Sequence, residues 1–167
     1  MNTPVVLITG ALTGIGRAAA VAFARKGARV VVAGRRDEVG KELVKELRSF
    51  GSEAEFIHAD VRKEDDIRSM VDKTVARFGR LDVAVNNAAT EGQVGPITDQ
   101  TAESFAATFE TNVLGVILSM KHESLGKQAP TQSLPQNRKS CRLSITRATS
   151  AHVVLRRSRS TFPPRWA

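Results

Sequence analysis

The sequence predicts an α/β fold built on a doubly wound parallel sheet with helices on both faces. Short apolar runs alternate along the chain with longer segments in which apolar residues recur at the helical period. The runs are apolar at almost every position, as is typical of parallel strands covered on both faces. Gly27, Gly51 and Gly79 stand just past helical segments, where helices commonly end. This alternation of strand and helix favours parallel pairing through right-handed crossovers.

Four strands are expected, each followed by one helix. The strands are the runs at 5–9, 29–34, 54–60 and 82–87. The apolar stripes that should face the sheet are Ile15, Ala18, Ala19, Ala22 and Phe23 in the first helix; Val39, Leu43, Leu47 and Phe50 in the second; and Ile67, Met70, Val71, Val75 and Phe78 in the third. The fourth helix carries a stripe of Phe105, Phe109, Val113, Val116 and Met120. His58 falls inside the third strand, so we expect it to be a packed core histidine.

The composition of the chain changes near residue 123. The net charge of the 167 residues is +8, yet residues 121–167 hold ten of the 25 Lys and Arg residues and only one acidic residue, Glu123. Residues 124–167 are rich in Ser and Thr and lack an apolar pattern, which favours disorder. Only HVVL, at 152–155, resembles a strand there. We therefore expect one folded domain over 1–123, truncated after the fourth strand and its following helix, and a disordered basic tail over 124–167.

The composition also indicates a compartment. The single cysteine, Cys141, cannot form an internal disulfide, which fits a reducing environment. No basic segment followed by a long apolar run marks a secretion signal, and no apolar run has the length of a membrane span. His122 and His152 have no sequence neighbours that suggest a metal site. We expect a cytoplasmic protein with neither a membrane partner nor a metal.

A glycine-rich turn between the first strand and the first helix carries the strongest functional signal. The stretch LITGALTGIGRA, residues 7–18, runs from a strand through Gly10, Gly14 and Gly16 directly into a helix. Glycines there permit a tight turn and close approach of a pyrophosphate, and the helix N-terminus supplies N–H groups and partial positive charge. An ordinary strand-to-helix turn packed with small residues is the alternative. The position within a βαβ unit favours dinucleotide binding.

At these residues the sequence resembles the short-chain dehydrogenase/reductase family. The family signature T-G-x-x-x-G-I-G is matched by Thr9, Gly10, Gly14, Ile15 and Gly16. Asp60 and Val61 after the third strand, NNAA at 86–89 after the fourth, and Asn112 in the last helix match further family motifs in order. The resemblance covers residues 3 to about 122. It implies a Rossmann-type domain that binds NAD(P) and an oxidoreductase that interconverts an alcohol and a ketone.

The resemblance also implies roles for individual residues. Asp60 would accept a hydrogen bond from the adenine amine, the NNAA segment would steady the sheet beside the cofactor, and Asn112 would hold a water molecule in a proton relay. Ala89 replaces the usual glycine of that segment. The implied cofactor-binding residues are Gly10, Thr13, Gly14, Ile15, Gly16, Asp60, Val61, Asn87, Ala88 and Ala89. Structural alternatives remain, because Asp60 can cap a turn, and Asn86, Asn87 and Asn112 can be turn or cap amides.

The residues after the second strand bear on the choice between NAD and NADP. An acidic residue at that strand's tip accepts from the ribose 2′-hydroxyl of NAD, whereas a nearby arginine accommodates the 2′-phosphate of NADP. Here the tip is Gly34, followed by Arg35 and Arg36. We therefore expect NADP in preference to NAD, with Arg35 the closer contact. The alternative is that both arginines are solvated loop charges.

The family's catalytic residues are not recognisable in this chain. The family uses a Ser after a fifth strand and a Tyr-x-x-x-Lys motif, and this sequence contains no tyrosine. Ser140 and Ser144 lack the apolar strand that would position them, so neither is assigned a role. We expect the chain to be catalytically inactive, although a full-length relative would act on a small alcohol or ketone.

Two alternatives to an enzyme stay open. The chain can be a pseudoenzyme that binds cofactor or pairs with an intact relative, because the helix at 101–122 would leave apolar surface exposed and favour an oligomer or aggregate. It can also bind polyanions through the basic segment at 153–166, although few aromatics and no recognisable module disfavour nucleic acid.

Overall fold

The computed structural model describes residues 3–126 and the backbone of residues 152–155. The four predicted strands are present and parallel, in the spatial order β3-β2-β1-β4. They are β1 (Val5–Thr9), β2 (Arg29–Gly34), β3 (Ala54–His58) and β4 (Val83–Asn86). The chain therefore crosses from β3 over to the far side of β1, which confirms the predicted doubly wound Rossmann-type sheet.

Helices connect these strands and extend the chain beyond β4. They are α1 (Gly14–Arg25), α2 (Asp37–Ser49), α3 (Glu64–Phe78), α4 (Ala102–Phe109) and α5 (Gly115–Gly126). A short 3₁₀ turn, Ile97–Asp99, precedes α4, and a π-helical turn, Glu110–Leu114, joins α4 to α5. None of the helices within 3–126 is long and apolar enough to cross a membrane.

Each strand buries side chains on both faces of the sheet. On one face, Val6 and Ile8 of β1 pack with Leu43 and Leu47 of α2. On the other face, Leu7 lies in a second buried cluster that includes residues of α3. Successive side chains of a strand point to opposite faces, so a sheet covered on both sides needs apolar residues at nearly every position. This explains the continuous apolar runs in the sequence.

Two expectations about the core are wrong. In α1 the buried residues are Gly16, Ala20 and Ala24, while Ile15 is 69% exposed. At Gly16 the reason is the close approach of α1 to the preceding turn, which leaves no room for a side chain. Ala20 and Ala24 belong to the buried cluster that covers the sheet. His58 is also exposed, and its Nδ1 lies 2.6 Å from Asp37 Oδ1 at the start of α2.

A fifth strand, β5 (His152–Leu155), pairs antiparallel with β4. Its register runs from His152 opposite Asn86 to Leu155 opposite Val83. This is the segment of the predicted tail that resembles a strand, and it gives the described part of the sheet the order β3-β2-β1-β4-β5. The expected disorder of the remaining tail falls on residues 127–151 and 156–167, which lie outside the described residues.

The segment formed by α4, the π-helical turn and α5 is covered on one side. Gly115 packs so closely that an added Cβ would lie 2.8 Å from the carbonyl oxygen of Val61. Glu64 at the start of α3 accepts from Lys121 Nζ at 2.6 Å and lies 2.9 Å from His122 Nε2. The opposite side of the segment carries exposed apolar residues, as the sequence predicts. We call this surface the apolar helix face; it consists of Phe105, Phe109, Val113, Leu114 and Ile117.

We predict that the apolar helix face makes the purified chain associate. Phe105 and Phe109 stack with ring centroids 4.1 Å apart while remaining 59% and 47% exposed, and contiguous exposed apolar surface favours association. The double substitution Phe105→Glu, Phe109→Glu should shift the chain towards a monomer. Light scattering coupled to size-exclusion chromatography measures this mass directly.

The matched control is Val94→Glu, Ile97→Glu, which places the same charges on two residues that are 83% and 86% exposed outside the face. It should leave the mass unchanged. A wild-type chain that is monomeric at tens of micromolar would contradict the prediction.

Candidate cofactor cleft

A cleft of about 720 Å³ lies at the carboxyl ends of the four parallel strands. It sits where β1 has β2 on one side and β4 on the other, the position at which open α/β sheets bind ligands. All the predicted cofactor-binding residues line it except Gly16, which is buried behind the turn. The further lining residues are Thr9, Leu12, Ala33, Gly34, Ala59, Arg62, Thr90, Glu91, Ala107 and Thr111.

The three glycines of the turn serve different physical needs. Gly10 has φ +64°, and an added Cβ would lie 2.7 Å from Cα of Ala88. Gly14 has φ +54° and would direct a Cβ into open space at the start of α1. At Gly16 a Cβ would lie 2.4 Å from the carbonyl oxygen of Gly10. Gly10 and Gly16 thus allow the turn to pack, while Gly14 leaves the mouth of the cleft clear.

The N-terminus of α1 is left open on the cleft side. Thr13 occupies the N-cap position without a side-chain hydrogen bond, and the first turn of α1 contains no acidic residue. In contrast, α2 and α3 carry acidic residues in their first turns, beginning with Asp37 and Glu64. Acidic groups there neutralise the positive end of a helix, so α1 keeps partial positive charge that suits an anion.

Hydrogen bonds between the ends of β1 and β4 fix the floor of the cleft. Asn87 Nδ2 donates to the carbonyl oxygen of Gly10 at 3.0 Å. The backbone N–H groups of Asn87 and Ala88 donate to Thr9 Oγ1 at 3.1 and 3.2 Å. Asn86 instead points away from the cleft and donates to the buried Glu123 Oε2 at 3.3 Å. Within the NNAA segment, Asn87 therefore holds the glycine turn, and Asn86 contacts Glu123 of α5.

Asn112 lies in the π-helical turn and is engaged with the loop after β4. Its Nδ2 donates to the carbonyl oxygen of Thr90 at 2.8 Å, and its Oδ1 accepts from the Thr90 N–H at 2.9 Å. Asn112 itself is not among the cleft-lining residues, whereas Thr90 is. The side chain therefore shapes the cleft through Thr90, and the water-holding role implied by the resemblance stays a prediction.

Asp60 is held at the cleft wall by a residue that sequence reasoning missed. Arg62 donates to Asp60 Oδ1 through its backbone N–H and Nε, both at 3.1 Å, and to Oδ2 through Nε at 3.1 Å and Nη2 at 2.6 Å. The Asp60 N–H donates to Asp66 Oδ2 at 3.0 Å. The signal in the sequence was an arginine two positions after an aspartate at a strand end, a spacing that lets the guanidinium fold back.

These contacts lower the pKa of Asp60 to about 2. The largest cause is the hydrogen bonding from the Arg62 side chain, with a smaller attraction from Arg35, and burial opposes both. The side chain of Asp60 is 11% exposed, so the carboxylate is ionised in a largely enclosed position.

Arg35 and Arg36 form the opposite part of the cleft wall. Both are exposed, and within residues 3–126 neither forms an ion pair. They stand between Gly34 at the tip of β2 and Asp37 at the start of α2. Two unpaired cations at this position suit an anionic group at the ribose end of a dinucleotide. Among the described side chains, no group of three or more His, Cys, Asp or Glu residues is arranged to hold a metal ion.

We predict that Asp60→Asn destabilises the chain by about 2 kcal/mol at pH 7, because the ordinary pKa of 3.8 falls to about 2 on folding. A carboxylate whose pKa is lower in the folded chain stabilises the fold at any pH above its pKa in the unfolded chain. This contribution is lost as the pH falls through the pKa of the folded chain. The difference between wild type and variant should therefore shrink from about pH 4 towards pH 2. Urea unfolding over this range measures it.

The control for this prediction is Asp65→Asn. Asp65 also pairs with an arginine, Arg68, but its side chain is 84% exposed, so the change should stay within about 0.5 kcal/mol. The prediction would be contradicted if the difference in free energy of unfolding between the wild-type chain and Asp60→Asn did not vary with pH.

Sequence and structure comparisons identify relatives of this chain. A model of the short chain dehydrogenase family matches residues 4–125. An uncharacterised oxidoreductase of Thermotoga maritima is 47% identical over 126 residues, which cover 74% of this chain and 49% of the relative. Xanthoxin dehydrogenase of Arabidopsis thaliana is 45% identical over 121 residues, covering 71% and 42%. The chain thus spans about half the length of the curated relatives it matches.

Solved structures give the same result. A variant of actinorhodin polyketide ketoreductase with NADPH superposes with a TM-score of 0.71 at 36% identity, covering 75% of this chain and 48% of that one. NAD⁺-bound xylitol dehydrogenase superposes with a TM-score of 0.72 at 31% identity, covering 75% and 48%. With the family model matching most of its length, the chain belongs to the short-chain dehydrogenase family.

Proposed function

We propose that this chain binds NADP(H) in the cleft at the carboxyl ends of its parallel strands. The observation that carries the proposal is one cleft bordered both by the open N-terminus of α1 and by the unpaired Arg35 and Arg36. A dinucleotide phosphate has two separate anionic groups, the pyrophosphate and the 2′-phosphate. The N-terminus of α1 would meet the pyrophosphate, and the two arginines would meet the 2′-phosphate.

Different residues of the cleft would contact different parts of such a cofactor. Gly14 and Thr13 would admit the pyrophosphate to the start of α1, and Arg35 would meet the 2′-phosphate. Ala88 and Thr90 border the end at which the nicotinamide would lie. The relatives superposed above carry NADPH in one case and NAD⁺ in the other, so the preference for NADP rests on the two arginines.

The reaction of the whole family member would be hydride exchange between an alcohol or ketone and the cofactor. The nicotinamide supplies or accepts the hydride, and the protein must move a proton to or from the substrate oxygen. The family does this with a tyrosine, and none of the 167 residues here is tyrosine. We therefore propose that the chain retains cofactor binding without turnover.

Cofactor binding is predicted to stabilise the wild-type chain against unfolding. A ligand that binds only the folded state adds about 2.7 kcal/mol at a hundredfold excess over its Kd. Thermal and urea unfolding should be followed with NADP⁺, NADPH and NAD⁺. The largest increase in stability should come with NADP⁺ and NADPH, the two that carry the 2′-phosphate. Absence of a shift with all three would overturn the proposal.

Arg35→Ala sharpens this test, because one charge-assisted hydrogen bond contributes about 1.5–3 kcal/mol. The Kd for NADP⁺ should rise about 10- to 100-fold, while the Kd for NAD⁺ stays within about twofold. Isothermal titration calorimetry gives both values. Arg68→Ala, which removes an exposed arginine of α3, is the matched control. An equal loss for both cofactors would contradict a 2′-phosphate contact.

The chain is predicted not to catalyse hydride exchange at a rate comparable with an intact relative. Loss of a positioned proton donor alone costs about 10²- to 10⁴-fold in rate. NADPH oxidation with a panel of ketones, followed by absorbance, should not exceed the rate without protein. A full-length short-chain dehydrogenase prepared in the same way is the positive control. Saturable turnover that co-elutes with the chain would contradict the prediction.

A further inference from the structure

A carboxylate directly follows the two arginines of the cleft wall. Asp37, the first residue of α2, comes after Arg35 and Arg36 in the chain, and it does not itself line the cleft. A carboxylate so near two guanidinium groups can pair with either of them, and it repels any anion that they attract. Nevertheless, within residues 3–126 neither arginine forms an ion pair with Asp37.

The Asp37 carboxylate is instead engaged by a residue of β3. Nδ1 of His58 lies 2.6 Å from Asp37 Oδ1. His58 ends β3 and stands opposite Gly34, the last residue of β2, in the parallel register. The N–H of Ala59 donates to the Gly34 carbonyl oxygen at 3.1 Å, which fixes the two strand ends together. The sheet therefore holds His58 where its ring reaches the start of α2.

The neighbouring cation of α2 is already taken by another carboxylate. Lys41 Nζ donates to Glu38 Oε1 at 2.8 Å. If the contact with His58 were lost, the cations nearest to Asp37 along the chain that have no ion pair within residues 3–126 would be Arg35 and Arg36. The contact between His58 and Asp37 thus keeps a competing carboxylate away from the two arginines.

We propose that His58 acts through Asp37 to keep Arg35 and Arg36 available to the 2′-phosphate, and so sets the preference for NADP over NAD. The inference rests on the proposed dinucleotide binding and adds a specificity-determining residue to it. His58 is a positioning residue, because it does not line the cleft itself. NAD has a ribose hydroxyl in place of the 2′-phosphate, and a carboxylate near the tip of β2 can accept a hydrogen bond from that hydroxyl.

The test compares the Kd values of NADP⁺ and NAD⁺ by calorimetry in the wild-type chain and in His58→Ala. Both side chains of the pair are 55% exposed, so the released carboxylate should act with the strength of an exposed charge. The Kd for NADP⁺ should rise about fivefold, the upper effect of one exposed charge pair, while the Kd for NAD⁺ should not rise. The double substitution His58→Ala, Asp37→Asn removes the released charge and should restore the wild-type ratio of the two Kd values.

The matched control frees a different carboxylate beside the same two strands. Arg29 Nε donates to Glu53 Oε1 at 2.8 Å, at the amino ends of β2 and β3 and away from the cleft. Arg29→Ala should therefore leave the ratio of the two Kd values unchanged. If His58→Ala does not fold, His58→Val replaces it, because valine also lacks a donor and suits a strand.

The outcomes separate this inference from the proposed function. An unchanged ratio in a folded His58 variant overturns the inference and leaves dinucleotide binding intact. A raised ratio that Asp37→Asn does not restore also overturns the inference, because the effect would not then pass through the carboxylate. A wild-type chain that binds neither cofactor overturns the proposed function and the inference with it.

Discussion

The close contact between the glycine turn and the end of β4 determines where everything else in the cleft can lie. A Cβ on Gly16 would lie 2.4 Å from the carbonyl oxygen of Gly10 and 2.5 Å from Nδ2 of Asn87. Asn87 bonds that same carbonyl oxygen, and Thr9 bonds the backbone of Asn87. This contact draws the start of α1 against two strands at once. The open end of the helix is thereby placed over the point at which the strand order reverses.

The sequence could predict the sheet because its physical signature is redundant. Every strand buries two faces, so the apolar runs identify β1 to β4, and their alternation with helices predicts parallel pairing. The glycine turn was predictable for a similar reason, since its function needs particular backbone conformations at Gly10 and Gly14. A prediction that rests on many residues together stays correct even when one residue is assigned wrongly.

The features that sequence reasoning missed depend on single contacts. The buried face of α1 consists of Gly16, Ala20 and Ala24, whose side chains are small and give a weak hydrophobic signal. The predicted stripe therefore included the larger Ile15, which is exposed at the cleft. His58 ends its strand and meets Asp37 from another element. The role of Arg62 follows from the direction of one side chain. Periodicity reports which residues are apolar, and it carries no information about such partners.

The α4–α5 segment shows a different kind of dependence. Gly115 and the contacts of Lys121 and His122 with Glu64 fix it to the rest of the fold from one side. Its other side presents the apolar helix face to solvent. The cleft still needs this segment, because Asn112 supports Thr90 at the cleft wall. The apolar helix face is thus part of the same segment that shapes the cleft.

The proposed cofactor binding and the family's proton transfer place different physical demands on a chain. The cleft groups matched to a dinucleotide are backbone N–H groups, glycines and side chains supplied by the first four strand–helix units, within the residues that the structure describes. Proton transfer instead needs one side chain of suitable pKa at one point, and no tyrosine exists in the sequence to supply it. A ligand that binds only the folded chain would also favour the folded state by mass action. For a domain with an uncovered apolar face, the cofactor would then act as a structural component as well as a ligand.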